Sequence, residues 1–340
     1  MAQTVLDAAA LYRKQLLAQE RASAVRLVQA YGQLYKRLQD SIAALTEQLA
    51  QMENPTRGKL QKLAAWRALK AQIEERVGQF GYVADAELDQ SARAALQAGL
   101  EHWQKLTELS IPEAARASIM GSFALLNTDA VETLLGFLAD DSPLHAALTQ
   151  KLGPAVAQAV EDRLVQGLVL GNNPRATAAA IRTQLGQGLT WSLQTTRTAT
   201  LWAYREAQRA AQVANQHIAP RWVWSAALDG RTCGSCWAMH GTIHPAAEPL
   251  NDHYCGRCAR IPLTVSWQEL GIDLPELDLG LEMGEAAFKR LTAAEQKAIL
   301  GPGKWAWWQA GGDFAKLSVQ RPVDVYGSMR FEATLQELEQ

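Results

Sequence analysis

Every cysteine in this 340-residue chain lies between residues 233 and 258, as Cys233-x-x-Cys236 and Cys255-x-x-Cys258 with eighteen residues between the pairs. A Cys-x-x-Cys turn presents two sulfurs to one ion from a tight loop. Two such turns at this spacing read as a tetrahedral zinc site, so the segment must fold back on itself. The expected ligands are Cys233, Cys236, Cys255 and Cys258, holding about one structural Zn2+ per chain. Gly234 and Gly256, one in each turn, suit a close backbone approach to metal-bound sulfurs. His240, His244 and His253 share the segment, and local hydrogen bonding is the ordinary role of such loop histidines. His253, two residues before Cys255, is the best candidate for a substitute ligand or for a group that orients one. Zinc held in this way supplies folding free energy on the order of 10 kcal/mol.

Other uses of clustered thiols fit less well. A thioredoxin-like motif needs one Cys-x-x-Cys opening a helix in a βαβ unit. A zinc deaminase needs His-x-Glu ahead of Pro-Cys-x-x-Cys, and neither piece occurs here. A catalytic zinc keeps an open position for water, which four thiolates do not leave. The nucleophile elbow, the zinc-protease helix motif and the phosphate-binding glycine loop are all missing from the sequence. The chain is therefore read as a non-enzyme. The first twenty residues lack the basic start and apolar core of a signal peptide, and no run of about 18 apolar residues occurs. The expectation is a chain kept in the cytoplasm with no membrane span, where clustered thiols bind metal rather than form disulfides.

The rest of the chain reads as mainly α. Residues 3–52 contain no proline, and Ala24, Val28, Tyr31, Tyr35, Leu38, Ile42, Leu45, Leu49 and Met52 alternate in steps of four and three. That is a heptad seam of a long helix that packs along a partner helix. Asn54-Pro55 through Gly58 breaks it, and Leu63, Trp66, Ile73, Val77 and Phe80 begin a second run. The simplest structure is an antiparallel hairpin within the chain, and the N-terminal helices are also candidates for self-association. Residues 78–85 read as a further break. Asp140-Asp141-Ser142-Pro143 and Gly171-Asn172-Asn173-Pro174 read as turns ahead of new helices. Residues 192–216 read as one helix whose Arg197, Arg205 and Arg209 form a solvated face.

The character changes at Arg221. Trp222, Val223 and Trp224 are β-formers, Asp229-Gly230 is a turn signal, and seven of the eleven tryptophans follow residue 220. Thr292 to Glu295 is a capping box that opens a helix, which Gly301-Pro302-Gly303 ends. Trp305, Trp307 and Trp308 are expected to fill a small core. Residues 323–326 and 329–331 read as short edge strands in a polar, acidic tail. The expected division is a helical hairpin over 1–84, a helical domain over 85–219, a zinc-stapled α+β module over 220–320 and a tail over 321–340.

Trp224, then Asp229-x-Arg231-Thr232-Cys233-x-x-Cys236, Gly241, Pro249, His253, Arg257-Cys258 and Pro262, resemble the signature of the Mu F-like phage head morphogenesis proteins. These are the minor head, or minor capsid, proteins of tailed phages. The resemblance extends upstream through Arg197-Thr198 and downstream to Trp308-x-x-Gly311, over roughly residues 120–320. It departs at Ala199, where the family often has Glu, and at Cys255, which stands one place nearer the histidine than in His-x-x-Cys-Arg-Cys. The resemblance implies a virion structural protein of the phage head that acts in head assembly, DNA packaging or genome delivery at the portal vertex. Its implied partners are the portal protein and the major capsid or scaffold proteins, met in the host cytoplasm during assembly. Asp229, Arg231, Thr232 and Arg257 belong to the signature and are expected to be structural.

A zinc-ribbon nucleic-acid-binding protein is the competing reading, with Arg231, Arg257 and Arg260 as candidate phosphate contacts. The formal net charge of −2 and the pI near 6.3 count against DNA binding as the main role, since such domains are usually basic. Weak, non-specific contact with phage DNA remains an expectation.

Overall fold

The computed structural model describes residues 2–52, 56–133, 135–139, 142–169, 174–269, 271–275, 278–323 and 325–340. Asn54-Pro55, Asp140-Asp141 and residues 171–173, on which three expected turns rest, lie outside the described residues. The chain is mainly helical, with a small region of sheet towards its C-terminus. In order, the helices before the sheet are α1 (Ala2–Ala50), α2 (Arg57–Lys62), α3 (Ala64–Leu109), α4 (Glu113–Met120), α5 (Thr128–Glu132), α6 (Pro143–Ala146), α7 (Leu152–Val169) and α8 (Pro174–Ala214). The sheet region then comprises β1 (Arg221–Ser225), α9 (Gly234–Met239), β2 (Ile243–Pro245) and β3 (Ala259–Leu263). The closing part holds α10 (Gly284–Lys289), α11 (Ala293–Gln309), β4 (Ser318–Val323), β5 (Gly327–Glu332) and α12 (Leu335–Leu338).

Two compact units emerge. One comprises Gln19–Ser91 and Gly136–Ala199; the other comprises Met1–Ala18, Ala92–Leu135 and Thr200–Gln340. The first is a helical bundle. Its α1 and α3 segments pack antiparallel within the chain, as the pairs Gln19 with Ser91, Arg26 with Glu87, Tyr31 with Phe80 and Ser41 with Gln72 show. The buried stripe of α1 runs through Ser23, Leu27, Tyr31, Leu34, Leu38, Ile42, Leu45 and Leu49. It matches the expected seam from Leu38 onward. At its start the register differs: Val28 is exposed, Ala24 and Tyr35 are half-buried, and Ser23, Leu27 and Leu34 take their places. A straight helix of 3.6 residues per turn drifts against a strict 3.5 repeat, which moves the contact line over several turns.

The expected break at residues 78–85 is absent, because α3 runs through it. Gly81 marks a close approach instead. A Cβ there would lie 2.1 Å from the Leu148 carbonyl oxygen, so glycine lets the turn after α6 press directly on α3. Ser142 caps α6, whose first residue is Pro143, and a π-helical turn over Ala147–Lys151 joins it to α7. Buried Glu161 on α7 accepts from Gln61 at 2.9 Å, Lys70 at 3.0 Å and Arg57 at 3.3 Å. Bonding by Gln61 and the cations outweighs burial and holds the Glu161 carboxyl below its ordinary range.

The second unit carries the sheet. Strand β1 lies between β2 and β3, antiparallel to both, with Trp222 opposite His244 and Pro262. Trp103 of α3, Ala211 of α8, Trp222, Trp224 and Leu250 form a core that also contains Cys236 and Cys258. The C-terminal part packs on α9 around a second core. Trp237, Phe288, Leu300, Trp308, Phe314 and Leu317 are its buried centre, with Trp305 and Trp307 against them, as expected for that tryptophan cluster. The capping box of Thr292 and Glu295 forms, and Gly301 at φ 74° interrupts α11 at the expected place. Residues 321–340 are no simple tail. Strands β4 and β5 pair over Ser318–Val323 and Gly327–Glu332, so the first strand starts earlier than expected, and α12 has a capping box of its own. Pro322 disguises β4, because proline is tolerated only on an edge strand.

Candidate metal centre

After β1 the chain turns at Asp229, and the expected structural residues assemble there. Asp229 Oδ1 accepts from the Arg231 backbone N–H at 3.0 Å and from Thr232 Oγ1 at 3.2 Å. The Arg257 guanidinium grips the same carboxylate with two bonds of 2.6 Å, which drives the Asp229 carboxyl well below its ordinary range. This knot ties the start of the first Cys-x-x-Cys turn to the end of the second. Cys233 stands at the N-cap of α9, which carries Cys236 in its first turn. The Glu332 carboxylate accepts from the Gly234 N–H at 2.8 Å, so the β4–β5 hairpin supports that turn.

His253 Nε2 lies 3.2 Å from Cys233 Sγ and 3.3 Å from Cys236 Sγ. These three atoms are within 4.8 Å of one another, as are those of a second triad, Cys236, Asp252 and Cys258. Cys255 is in neither triad. It sits at φ 57° in a turn closed by the Gly256 N–H on the His253 carbonyl at 2.9 Å. Of the expected ligands, Cys233, Cys236 and Cys258 fall in these triads, together with His253, the expected substitute, and with Asp252.

The donor chemistry fits zinc. Sulfur and nitrogen ligands on a tetrahedral zinc lie about 3.5 Å apart, close to the separations found here. His253 Nδ1 stands 2.9 Å from the Tyr254 carbonyl and donates its N–H there, so Nε2 is the nitrogen that faces the sulfurs. Cys236 and Cys258 are buried, while Cys233 and His253 are partly exposed. The Cys233 thiol is pulled down to about 5 by its bond with Cys236, with His253 adding to the effect. Cys236 is pushed up by Cys233, Cys258 and burial. Several groups that compete for few protons in one small space are the arrangement a divalent cation relieves.

Asp252 organises the loop. It is fully buried, and its carboxylate accepts from the His253 N–H at 2.9 Å, the Cys258 N–H at 3.1 Å and Cys236 Sγ at 3.4 Å. Burial pushes the Asp252 carboxyl up, but the charges of Arg205 and His253 and the bonds from Cys258 prevail and hold it low. Arg205 of α8 donates to Gly256 O at 2.7 Å, Cys258 O at 3.1 Å and Asp252 Oδ2 at 3.2 Å. Both residues escape a reading of the sequence. Asp252 leaves only its place beside His253 as a clue. Arg205 was expected on a solvated face, yet it is buried, and its partners lie about fifty residues away. Gly256 has a reason other than sulfur contact: a Cβ there would lie 2.1 Å from Asp252 Oδ2.

The other candidates are accounted for locally. His240 Nδ1 accepts from the Ala226 N–H at 3.0 Å, and burial pushes its imidazole down to about 4. His244 stacks on Trp222 at 4.5 Å and pairs with Glu248 at 3.0 Å. Arg260 is fully buried, with its guanidinium 4.2 Å over the Trp222 ring and bonded to Gln212, Ala246 O and Glu248 O. Its complete burial counts against a phosphate contact. Arg257 is committed to Asp229, and of the three candidate arginines only Arg231 is exposed.

The cluster lies on the segment from α7 to β3 that the comparison with known families picks out. Residues 158–261 match the family described as Phage Mu protein F like protein. This Phage Mu protein F like segment contains α8 with Arg205, strands β1 and β2, both triads and the Asp229 knot. It is shorter than the stretch over which resemblance was expected. No curated protein and no solved structure matches the chain. No helix among the described residues is long and apolar enough to cross a membrane.

Proposed function

We propose that this chain is a minor head protein of a tailed phage, a structural component that acts in head assembly and genome delivery at the portal vertex. One observation carries the reading: the Phage Mu protein F like match spans the loop in which the triads Cys233–Cys236–His253 and Cys236–Asp252–Cys258 meet at Cys236. The helical parts, residues 1–84 and 85–219, serve as docking surfaces for the portal protein or for capsid and scaffold proteins. The module after residue 220 is held by one structural zinc. Its ligands are Cys233, Cys236, His253 and Cys258, with Asp252 hydrogen-bonded behind them.

A site saturated by three thiolates and an imidazole offers no open position for water, so the metal's part is structural. The protein joins the head from the host cytoplasm. The DNA-binding alternative is weakened by the positions of Arg257 and Arg260, one bonded to Asp229 and the other sealed in the core. Mass spectrometry of purified virions and procapsids tests the reading. The chain is expected in both at low copy number, and its absence from both refutes a head role.

A further inference from the structure

The metal loop is gripped by a residue from outside it. Arg205 stands on α8, and its side chain is 5% exposed. Its Nη2 reaches Asp252, Gly256 and Cys258, and its Nε lies 3.3 Å from Cys258 O. The segment thus held begins before His253 and ends at Cys258, so it encloses two of the proposed ligands. Asp252 in turn bonds the backbone N–H of both. A single guanidinium therefore sets the separation of His253 from Cys258 by two routes, through the carboxylate and through the carbonyls. The Asp252 carboxylate also needs a cation. Its Oδ1 lies 3.5 Å from His253 Nε2, close enough to swing into the ion's place unless Oδ2 is anchored.

We propose that Arg205, acting through Asp252, is the positioning residue of the metal centre and couples metal binding in the 252–258 loop to helix α8. This rests on the zinc reading given above. Groups that orient metal ligands from behind typically change affinity ten- to a hundredfold when removed. Lysine keeps the charge of arginine but not its planar fork, so it satisfies Asp252 without bridging the two carbonyls.

The test uses the full chain, stripped of metal under reducing conditions and titrated with zinc against a chromophoric chelator. Cobalt(II) substitution reports ligand geometry through its visible spectrum. Arg205→Met is expected to weaken zinc binding by about ten- to a hundredfold and to shift the cobalt bands, with Arg205→Lys intermediate. Asp252→Asn is expected to do the same, and the double variant to be no worse than the weaker-binding single. Should Arg205→Met not fold, Arg205→Lys and Asp252→Asn carry the test. Gln212→Ala is the control. Gln212 is buried on the same helix but bonds Ala219 O, Arg221 O and Arg260 rather than the loop, so its loss is expected to cost stability and leave zinc affinity unchanged. Zinc affinity in Arg205→Met within about twofold of wild type, additive losses, or an equal loss in Gln212→Ala would overturn the proposal. A wild-type chain that takes up no zinc overturns the metal reading itself, and the inference with it.

Discussion

Acid should destabilise this protein through His240 in a window set by one hydrogen bond. The imidazole is 4% exposed, and its Nδ1 accepts from the Ala226 N–H at 3.0 Å. Protonating Nδ1 abolishes that acceptor and places a charge in the core, with Arg13 adding repulsion. The folded-state value is pushed down to about 4 from an ordinary 6.5. For a depressed histidine the unfolded chain binds the proton first. The stabilisation is therefore complete above about pH 6.5 and is lost as pH falls towards 4. The loss works out at about 2 kcal/mol by pH 5 and about 3 kcal/mol by pH 4.

His240→Asn isolates the effect, because its Oδ1 can accept from Ala226 without titrating. Denaturant melts of both proteins, followed by near-ultraviolet circular dichroism at equal metal loading, give the difference in stability at each pH. That difference removes the contribution of the carboxylates and of metal release, which both proteins share. It should be flat above pH 7 and shrink by about 2 kcal/mol by pH 5. A difference that stays constant from pH 8 to pH 5 refutes the reasoning.

Two further outcomes follow from the geometry. Cys236→Ser and Cys258→Ser are expected to abolish tight zinc uptake, while Cys255→Ser keeps about one zinc per chain; elemental analysis of the purified variants decides, and equal loss in all three restores a four-cysteine site. Gly81→Ala places a Cβ 2.1 Å from the Leu148 carbonyl oxygen, at a cost of about 1–3 kcal/mol. Far-ultraviolet thermal melts measure it, and an unchanged midpoint would show that α3 and the turn after α6 are not packed this closely.

The long helices were legible because burial imposes a period, and Leu38, Ile42, Leu45 and Leu49 keep it for about three turns. What the period does not encode is which neighbour presses on a helix. Gly78 and Gly81 look like breakers when only local propensity is weighed, since glycine costs roughly 1 kcal/mol in a helix. At Gly81 that cost is outweighed by a backbone contact with residue 148, nearly seventy positions away. Arg205 was misread for the same reason. An arginine on a helix among Arg197 and Arg209 has the appearance of a solvated face until the carbonyls of Gly256 and Cys258 are brought to it.

The metal loop divides along the same line. Spacing predicts that residues 233–258 close around one ion, and thiolate and imidazole donors suit zinc. Within His253-Tyr254-Cys255-Gly256-Arg257-Cys258, however, either His253 or Cys255 can face the other pair, and the sequence favours Cys255 by symmetry with Cys233-x-x-Cys236. The backbone breaks that symmetry. Asp252 collects the N–H groups of His253 and Cys258, and Arg205 holds the carboxylate in place. Gly256 allows the chain to pass over it, and the turn that results puts Cys255 into the left-handed region at φ 57°. In the proposed site, the choice of His253 over Cys255 therefore rests on a buried carboxylate and on an arginine from another helix, neither of which belongs to the cysteine pattern that announces the site.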